Sequence, residues 1–169
     1  ADLLRKLKRY EEGLAVCDAI VDKRPEAARP YYCAGNILRE LLRAGEAIDA
    51  FRQAIALQPR FAEAYCNLGN ILLRKGAFEE AIDAYREAIA INPSIAQTYC
   101  NIGAAYEVAQ RPAEALEAYA KAISLDPSLI GVEVQLFHQR RAACDWDGIE
   151  EAETSLLGRA AVCNDKLPP

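Results

Sequence analysis

Residues 62–93 read "AEAYCNLGNILLRKGAFEEAIDAYREAIAINP", and residues 96–127 read "AQTYCNIGAAYEVAQRPAEALEAYAKAISLDP". The second stretch lies 34 residues after the first and agrees with it at the small and apolar sites. A chain that restates itself at such a period builds an extended surface from repeated units, not a single pocket. Laid out at that period, Pro25, Pro59, Pro93 and Pro127 fall in one column. Ala47, Ala81 and Ala115 form another, with Ala54, Ala88 and Ala122 seven residues on. Phe51, Tyr85 and Tyr119 make an aromatic column, Gly35, Gly69 and Gly103 a glycine column, and Tyr31, Tyr65 and Tyr99 a second aromatic one. Whole units run over 28–61, 62–95 and 96–129, and 1–27 is the end of an earlier unit in the same frame.

Each unit holds two amphipathic stretches of about 12 to 15 residues, divided near the middle and stopped by proline. In the first stretch of 62–95, Tyr65, Leu68, Gly69 and Leu72 share one face at helical spacing. Ala81, Tyr85 and Ala88 do so in the second. Gly69 lowers helix stability by about 1 kcal/mol against alanine. Its place is explained where two helix backbones approach closely, with Tyr85 filling the space between the small alanines. Gly76 in "RKGAF" marks the turn, past the end of the first helix. The other units carry Leu42 and Gln110 there, and Pro112 opens a helix in the third. Pro93 lacks an N–H and closes the second helix. In the partial unit, Gly13, Cys17 and Ile20 occupy the Ala, aromatic and Ala columns. A lone helix pair cannot bury both faces, whereas stacked pairs share a continuous core.

Composition sets the outer bounds. The chain has 169 residues, 52% hydrophobic and 27% charged, ordinary for a folded domain or a short array. The formal charge of −5 argues against a general nucleic-acid binder, which needs a basic face. No apolar run reaches membrane-spanning length, and the opening "ADLLRKLKRYEEG" is not a signal peptide. Six cysteines stand at 17, 33, 66, 100, 144 and 163 without a C-x-x-C pair. With one histidine, zinc spacing is absent, and the expectation is of buried free thiols in a reducing cytoplasm. No methionine occurs, so the chain is expected to be a piece of something longer or a processed product.

The pattern resembles the tetratricopeptide repeat (TPR) family, whose motif is aromatic, Leu-Gly, a large residue, Ala-x-x-x-aromatic, then Pro. Here it reads Tyr65, Leu68-Gly69, Leu72, Ala81, Tyr85, Ala88 and Pro93, and again Tyr99, Ile102-Gly103, Tyr106, Ala115, Tyr119, Ala122 and Pro127. The resemblance covers 1–129. It implies an all-α fold, a right-handed α-α superhelix (TPR solenoid) of antiparallel helix pairs, closed here by a divergent C-terminal pair over 130–169. It also implies a concave face lined by the first helix of each unit.

On that face the polar residues outside the core columns are Asn36, Asn67, Asn70 and Asn101, with Asn67 equivalent to Asn101 and Asn36 to Asn70. An asparagine offers both an acceptor and donors. A ladder of them could grip an extended peptide by its backbone, engaging about every third residue, since a strand advances about 3.3–3.6 Å per residue. The alternative is a set of ordinary surface residues bonding to water or to one another. A carboxylate clamp, the TPR mode that holds chaperone tails, requires cations where this chain has Tyr32, Cys33, Cys66, Asn67, Cys100 and Asn101.

After Pro127 the glycine and alanine columns vanish, while helical patterning persists over 131–143 and 147–161. By packing alone this is a capping pair, with Trp146 covering exposed core. The run Cys144-Asp145-Trp146, closed by "LPP", resembles the junction of O-linked N-acetylglucosamine transferase family proteins, where a TPR array meets the glycosyltransferase domain. That resemblance implies the partner-recruiting arm of such an enzyme without its catalytic part. No phosphate-binding loop occurs. His138 reads as an ordinary helical histidine, and Glu79-Glu80 and Glu150-Glu151 as solvated surface. The expectation is therefore a cytoplasmic protein- or peptide-binding scaffold, not itself an enzyme. It has no catalytic residue, cofactor or metal, and neither nucleic acid nor membrane as partner. The alternatives are a stand-alone TPR adaptor and a self-associating homo-oligomer module.

Overall fold

The computed structural model describes residues 2–129 together with Gly131, Gln135 and Leu136. Helical patterning alone places 131–143 and 147–161 as the divergent pair; this expectation, with His138 and Cys144-Asp145-Trp146, lies almost wholly outside the described residues. Among the described residues there are seven α-helices and no strand. They are α1 (Asp2–Lys23), α2 (Ala28–Glu40), α3 (Ala44–Leu57), α4 (Ala62–Arg74), α5 (Phe78–Ile91), α6 (Ala96–Val108) and α7 (Pro112–Leu125). The first helix of every whole repeat has 13 residues and the second 14. The chain divides into two compact units, Ala1–Pro93 and Ser94–Pro169. In the first, α2 pairs with α3 and α4 with α5, while α1 packs on α2 and α3 on α4. In the second, α6 pairs with α7.

The columns of small and aromatic residues are the core. Ala47, Ala54, Phe51, Ala81, Ala88, Tyr85, Ala115, Ala122 and Tyr119 are all at most 1% exposed. What the glycine column accommodates differs from the sequence expectation. A Cβ on Gly69 would stand 2.7 Å from Tyr85 Cε1; on Gly35, 2.8 Å from Phe51 Cε1; on Gly103, 2.6 Å from Tyr119 Cε1. The glycine makes room for an aromatic ring of the facing helix, not for the other backbone. The alanines on either side of the ring hold the helices near enough to bury it, since a side chain larger than a methyl group would separate them.

Three turns close in one way although their residues differ. Gly76 has φ +81°, Leu42 +59° and Gln110 +60°. At each, the next N–H reaches back past the turn: Arg43 to the Leu38 carbonyl at 2.9 Å, Ala77 to Leu72 at 3.0 Å, Arg111 to Tyr106 at 2.8 Å. These are Schellman closures, which need a left-handed residue and favour glycine there. Packing of the two helices dictates the turn, and Leu42 and Gln110 adopt a conformation costly for a residue with a Cβ. At the other helix ends, Gln58 (ψ 87°), Asn92 (ψ 93°) and Asp126 (ψ 95°) are extended, as a residue before proline must be.

The partial repeat departs from the frame. Lys8 stands 34 residues before Leu42, yet α1 runs unbroken through it for 22 residues. Cys17, in the aromatic column, is buried, whereas Ile20, in the second alanine column, is 42% exposed. Gly13 faces the tip of Ile37, with Cδ1 2.9 Å from where a Cβ would sit. Of the expected buried thiols, Cys17 and Cys100 are buried, Cys66 is half-buried and Cys33 is exposed. Burial pushes the Cys17 and Cys100 thiols above their ordinary value, so they sit protonated.

Candidate functional site

The polar face of the first unit centres on Asn67. Its Nδ2 donates to Asn36 Oδ1 at 2.9 Å and to the Tyr32 hydroxyl at 3.3 Å. Its Oδ1 accepts from Arg39 Nη1 at 3.4 Å. Tyr32, Asn36 and Arg39 lie three and four residues apart on α2, so one helical face presents them together to Asn67 on α4. The Tyr32 ring is held against Phe61, centroids 4.7 Å apart, and Phe51, 5.8 Å. Arg39 also pairs with Glu40 at 2.9 Å.

Counting donors shows what this arrangement can still do. Asn67 has both amide hydrogens engaged and one lone pair of Oδ1 remaining. Asn36 gives its oxygen to Asn67, while its own Nδ2 donates to no described residue. The two amides, joined by one bond, therefore offer outward donors from Asn36 and an acceptor from Asn67. That matches the carbonyl and N–H of a peptide backbone.

Asn70 and Asn101 are not brought into this cluster. Asn70 Oδ1 accepts from the Tyr85 hydroxyl at 2.7 Å, inside the α4–α5 pair. Asn101, in the second unit, accepts from Gln97 Nε2 at 2.9 Å along its own helix. Asn70 is thus bonded inside its own helix pair, while Asn36 and Asn67 bond one another. In the second unit the aromatic hydroxyl has another acceptor, Tyr119 bonding Glu107 Oε2 at 3.0 Å. Burial holds the Tyr85 and Tyr119 phenols well above their ordinary value, with the Glu107 bond adding at Tyr119.

Sequence reasoning passed over Arg39, because its column holds Leu73 and Glu107 in the other repeats and shows no pattern. The signal was there: Arg39 stands three residues after Asn36 and seven after Tyr32, on one helical face. Among the described residues no group of three metal-binding side chains converges, and no helix is long and apolar enough to cross a membrane.

Residues 62–95 and 96–129 each match the family description "Tetratricopeptide repeat", and 35–76 match "TPR repeat". The chain is a tetratricopeptide repeat protein. No curated protein matches it in sequence. Among solved structures, a crystal structure of MamA superposes with a TM-score of 0.86 at 22% identity, covering 97% of this chain and 96% of that one. MamA 41-end from Desulfovibrio magneticus RS-1 gives 0.79 at 25%, covering 92% and 89%. YrrB, described as a TPR protein with an unusual peptide-binding site, gives 0.76 at 20%, covering 98% and 88%. These likenesses establish the all-α TPR fold.

Proposed function

We propose that this TPR chain is a protein- and peptide-binding scaffold that holds an extended segment by its backbone. The carrying observation is the Asn36–Asn67 pair, whose remaining donors and acceptor complement one peptide unit. Asn101 is proposed as a separate rung in the second unit. Asn70 stays in the proposed set with its oxygen already engaged by Tyr85, which makes it the weakest rung. YrrB is described as having a peptide-binding site, and its likeness in fold supports the reading by analogy.

The decisive variant is Asn36→Asp. It keeps the oxygen that accepts from Asn67 and replaces the outward amide by an acceptor. With a ligand taken from an extended-peptide library, fluorescence polarisation should show binding weakened by about 0.5–3 kcal/mol, the worth of one or two hydrogen bonds. The thermal midpoint should hardly change. N-methylating the peptide backbone should cost more than scrambling its side chains. Unchanged affinity in Asn36→Asp, with control passing instead to Arg86 or Glu87 on α5, would overturn the proposal.

A narrower reading rests on Cys144-Asp145-Trp146. It makes the chain the recruiting arm of an O-linked N-acetylglucosamine transferase-like enzyme, working in the cytoplasm. The full reading frame decides it: a glycosyltransferase domain downstream supports the arm, and its absence favours a stand-alone adaptor. The chain itself should show no turnover of UDP-N-acetylglucosamine with acceptor peptides. Sedimentation of the chain tests the homo-oligomer alternative, a single monomeric species excluding it.

A further inference from the structure

Two cavities in the first unit share part of their lining at equivalent positions of successive repeats, while a 34-residue step does not carry the cations around one onto those around the other. One, of about 150 Å³, is lined by Arg39, Leu42, Ala44, Ile71, Arg74 and Lys75. The other, of about 390 Å³, is lined by Lys6, Arg9, Tyr10 and Ile37. Ile37 and Ile71 stand 34 residues apart, as do Tyr10 and Ala44. Each cavity thus has an isoleucine from the first helix of a repeat and a cationic rim, in a chain whose net charge is −5. Only Arg39 of these five cations has an ion pair with a described side chain, Glu40 at 2.9 Å.

The helix dipole accounts for part of this. Arg39 and Arg74 lie in the last turns of α2 and α4, where a cation is favoured. It does not account for Lys6 and Arg9, which lie in the second and third turns of α1, beyond the reach of either helix end. Leu42 adds a second oddity. It is 74% exposed and sits at φ +59°, a place glycine would fill without strain, yet it puts an apolar side chain at the rim of the smaller cavity.

We propose that this row of cavities docks an acidic segment of a partner protein in which carboxylate residues alternate with apolar ones. The carboxylates meet Lys6, Arg9, Arg74 and Lys75, and the apolar side chains cover Ile37, Ile71 and Leu42. The apolar lining and the negative net charge favour such a peptide over a polyanionic nucleic acid. The docking does not depend on the backbone-gripping reading, because four of the five cations lie outside the Asn36–Asn67 cluster.

The test uses the 169-residue chain and a labelled eight-residue peptide alternating Glu with Leu or Ala, compared with its Gln counterpart, by fluorescence anisotropy. The Glu peptide should bind about tenfold more tightly at low salt, and added salt should erase the difference. The pairs Arg74→Gln with Lys75→Gln, and Lys6→Gln with Arg9→Gln, should each weaken it about threefold to tenfold. Arg86→Gln, on α5, should leave it unchanged, and circular dichroism should show every variant folded. N-methylating the backbone of the Glu peptide should spare this docking, whereas the backbone-gripping reading requires a loss, so the two readings fail separately. Equal affinity for the two peptides, no binding of either, or equal losses in Arg86→Gln overturns the proposal. So does a single-stranded oligonucleotide that binds through the same four cations while the Glu peptide does not.

Discussion

Repeats 28–61 and 62–95 share one frame, and four of the differences between them change how side chains bond or how the chain turns. The buried ring is Phe51 in the first and Tyr85 in the second; the left-handed turn residue is Leu42 against Gly76; the residue opening the second helix is Arg43 against Ala77. The fourth difference follows from the first. Phe51 has no hydroxyl, so the Asn36 oxygen is left to accept from Asn67, whereas that of the equivalent Asn70 is taken by Tyr85. A single oxygen in the core thus decides whether the asparagine at this position faces a neighbouring helix or a buried tyrosine. Position in the repeat fixes where a side chain stands, and the column beside it fixes what it does.

The largest expected effect tests what the two repeats share. Gly35→Ala and Gly69→Ala each place a methyl group within 2.9 Å of three atoms of a buried ring that has nowhere to go. Overpacking should cost about 1–3 kcal/mol, more than the roughly 1 kcal/mol that alanine contributes to the helix. Gly13→Ala meets only the flexible end of Ile37 and should be neutral or stabilising. Thermal denaturation of the three variants reads this directly. Equal shifts at Gly13 and Gly69 would refute the ring-over-glycine packing.

Tyr85→Phe sharpens the contrast by turning the second repeat into the first. It removes the donor to Asn70 and should cost about 0.5–1.5 kcal/mol, with Asn70 losing its inward restraint. The hydroxyl also sets an alkaline limit. Because the folded Tyr85 phenol titrates above its ordinary value of 10.0, the unfolded chain loses its proton first. The stability this confers is complete below pH 10.0 and falls as pH rises beyond it. Tyr85→Phe should therefore flatten the loss of stability seen above that pH in urea titrations. An unchanged alkaline slope would show that the ring's hydroxyl is not buried as described.

Leu42→Gly should stabilise the protein, by about 0.5–1 kcal/mol, since it relieves a left-handed leucine; the reverse change, Gly76→Leu, should cost a similar amount. Gln110→Gly should act like Leu42→Gly. A loss of stability in Leu42→Gly would mean that the side chain supports the turn by packing.

These residues mark where the sequence could be read and where it could not. The columns were legible because one packing constraint recurs at each 34-residue step, and recurrence separates it from chance. Arg39, the hydroxyl acceptors and the unbroken α1 were not, because each occurs once. Apart from Pro112, which opens α7 as its sequence position implies, helix starts carried little signal: Ala27, Arg43, Phe61, Ala77, Ile95 and Arg111 begin helices without a side-chain cap bond. There helix packing replaces the serine or aspartate that a sequence reading seeks.

The smallest effect concerns how the second helix of each repeat is opened. Arg43 bonds Glu46 in its own first turn, Nε to Oε1 at 2.7 Å, and Arg111 does the same to Glu114 at 2.9 Å. Ala77 cannot, and the corresponding Glu80 instead reaches back to Arg52 of the preceding repeat at 3.3 Å. The first arrangement fastens a helix to its own turn, and the second fastens one repeat to the next. These groups are wholly or partly exposed, so each pair should matter less than Leu42→Gly and should fade in salt. The bond from Arg43 holds the Glu46 carboxyl below its ordinary value of 4.5. Its contribution is therefore present above pH 4.5 and is lost as pH falls through the lower folded value. Glu46→Gln should remove that acid sensitivity, measured as the thermal midpoint between about pH 7 and about pH 3 at low salt. The inter-repeat pair should show itself differently: Glu80→Gln and Arg52→Gln should be non-additive in a double-mutant cycle, while Glu80→Gln with Arg43→Gln should add. Additivity of Glu80 with Arg52 would mean that this pair does not join the repeats, which are then held by the Asn67 bonds and the apolar contacts.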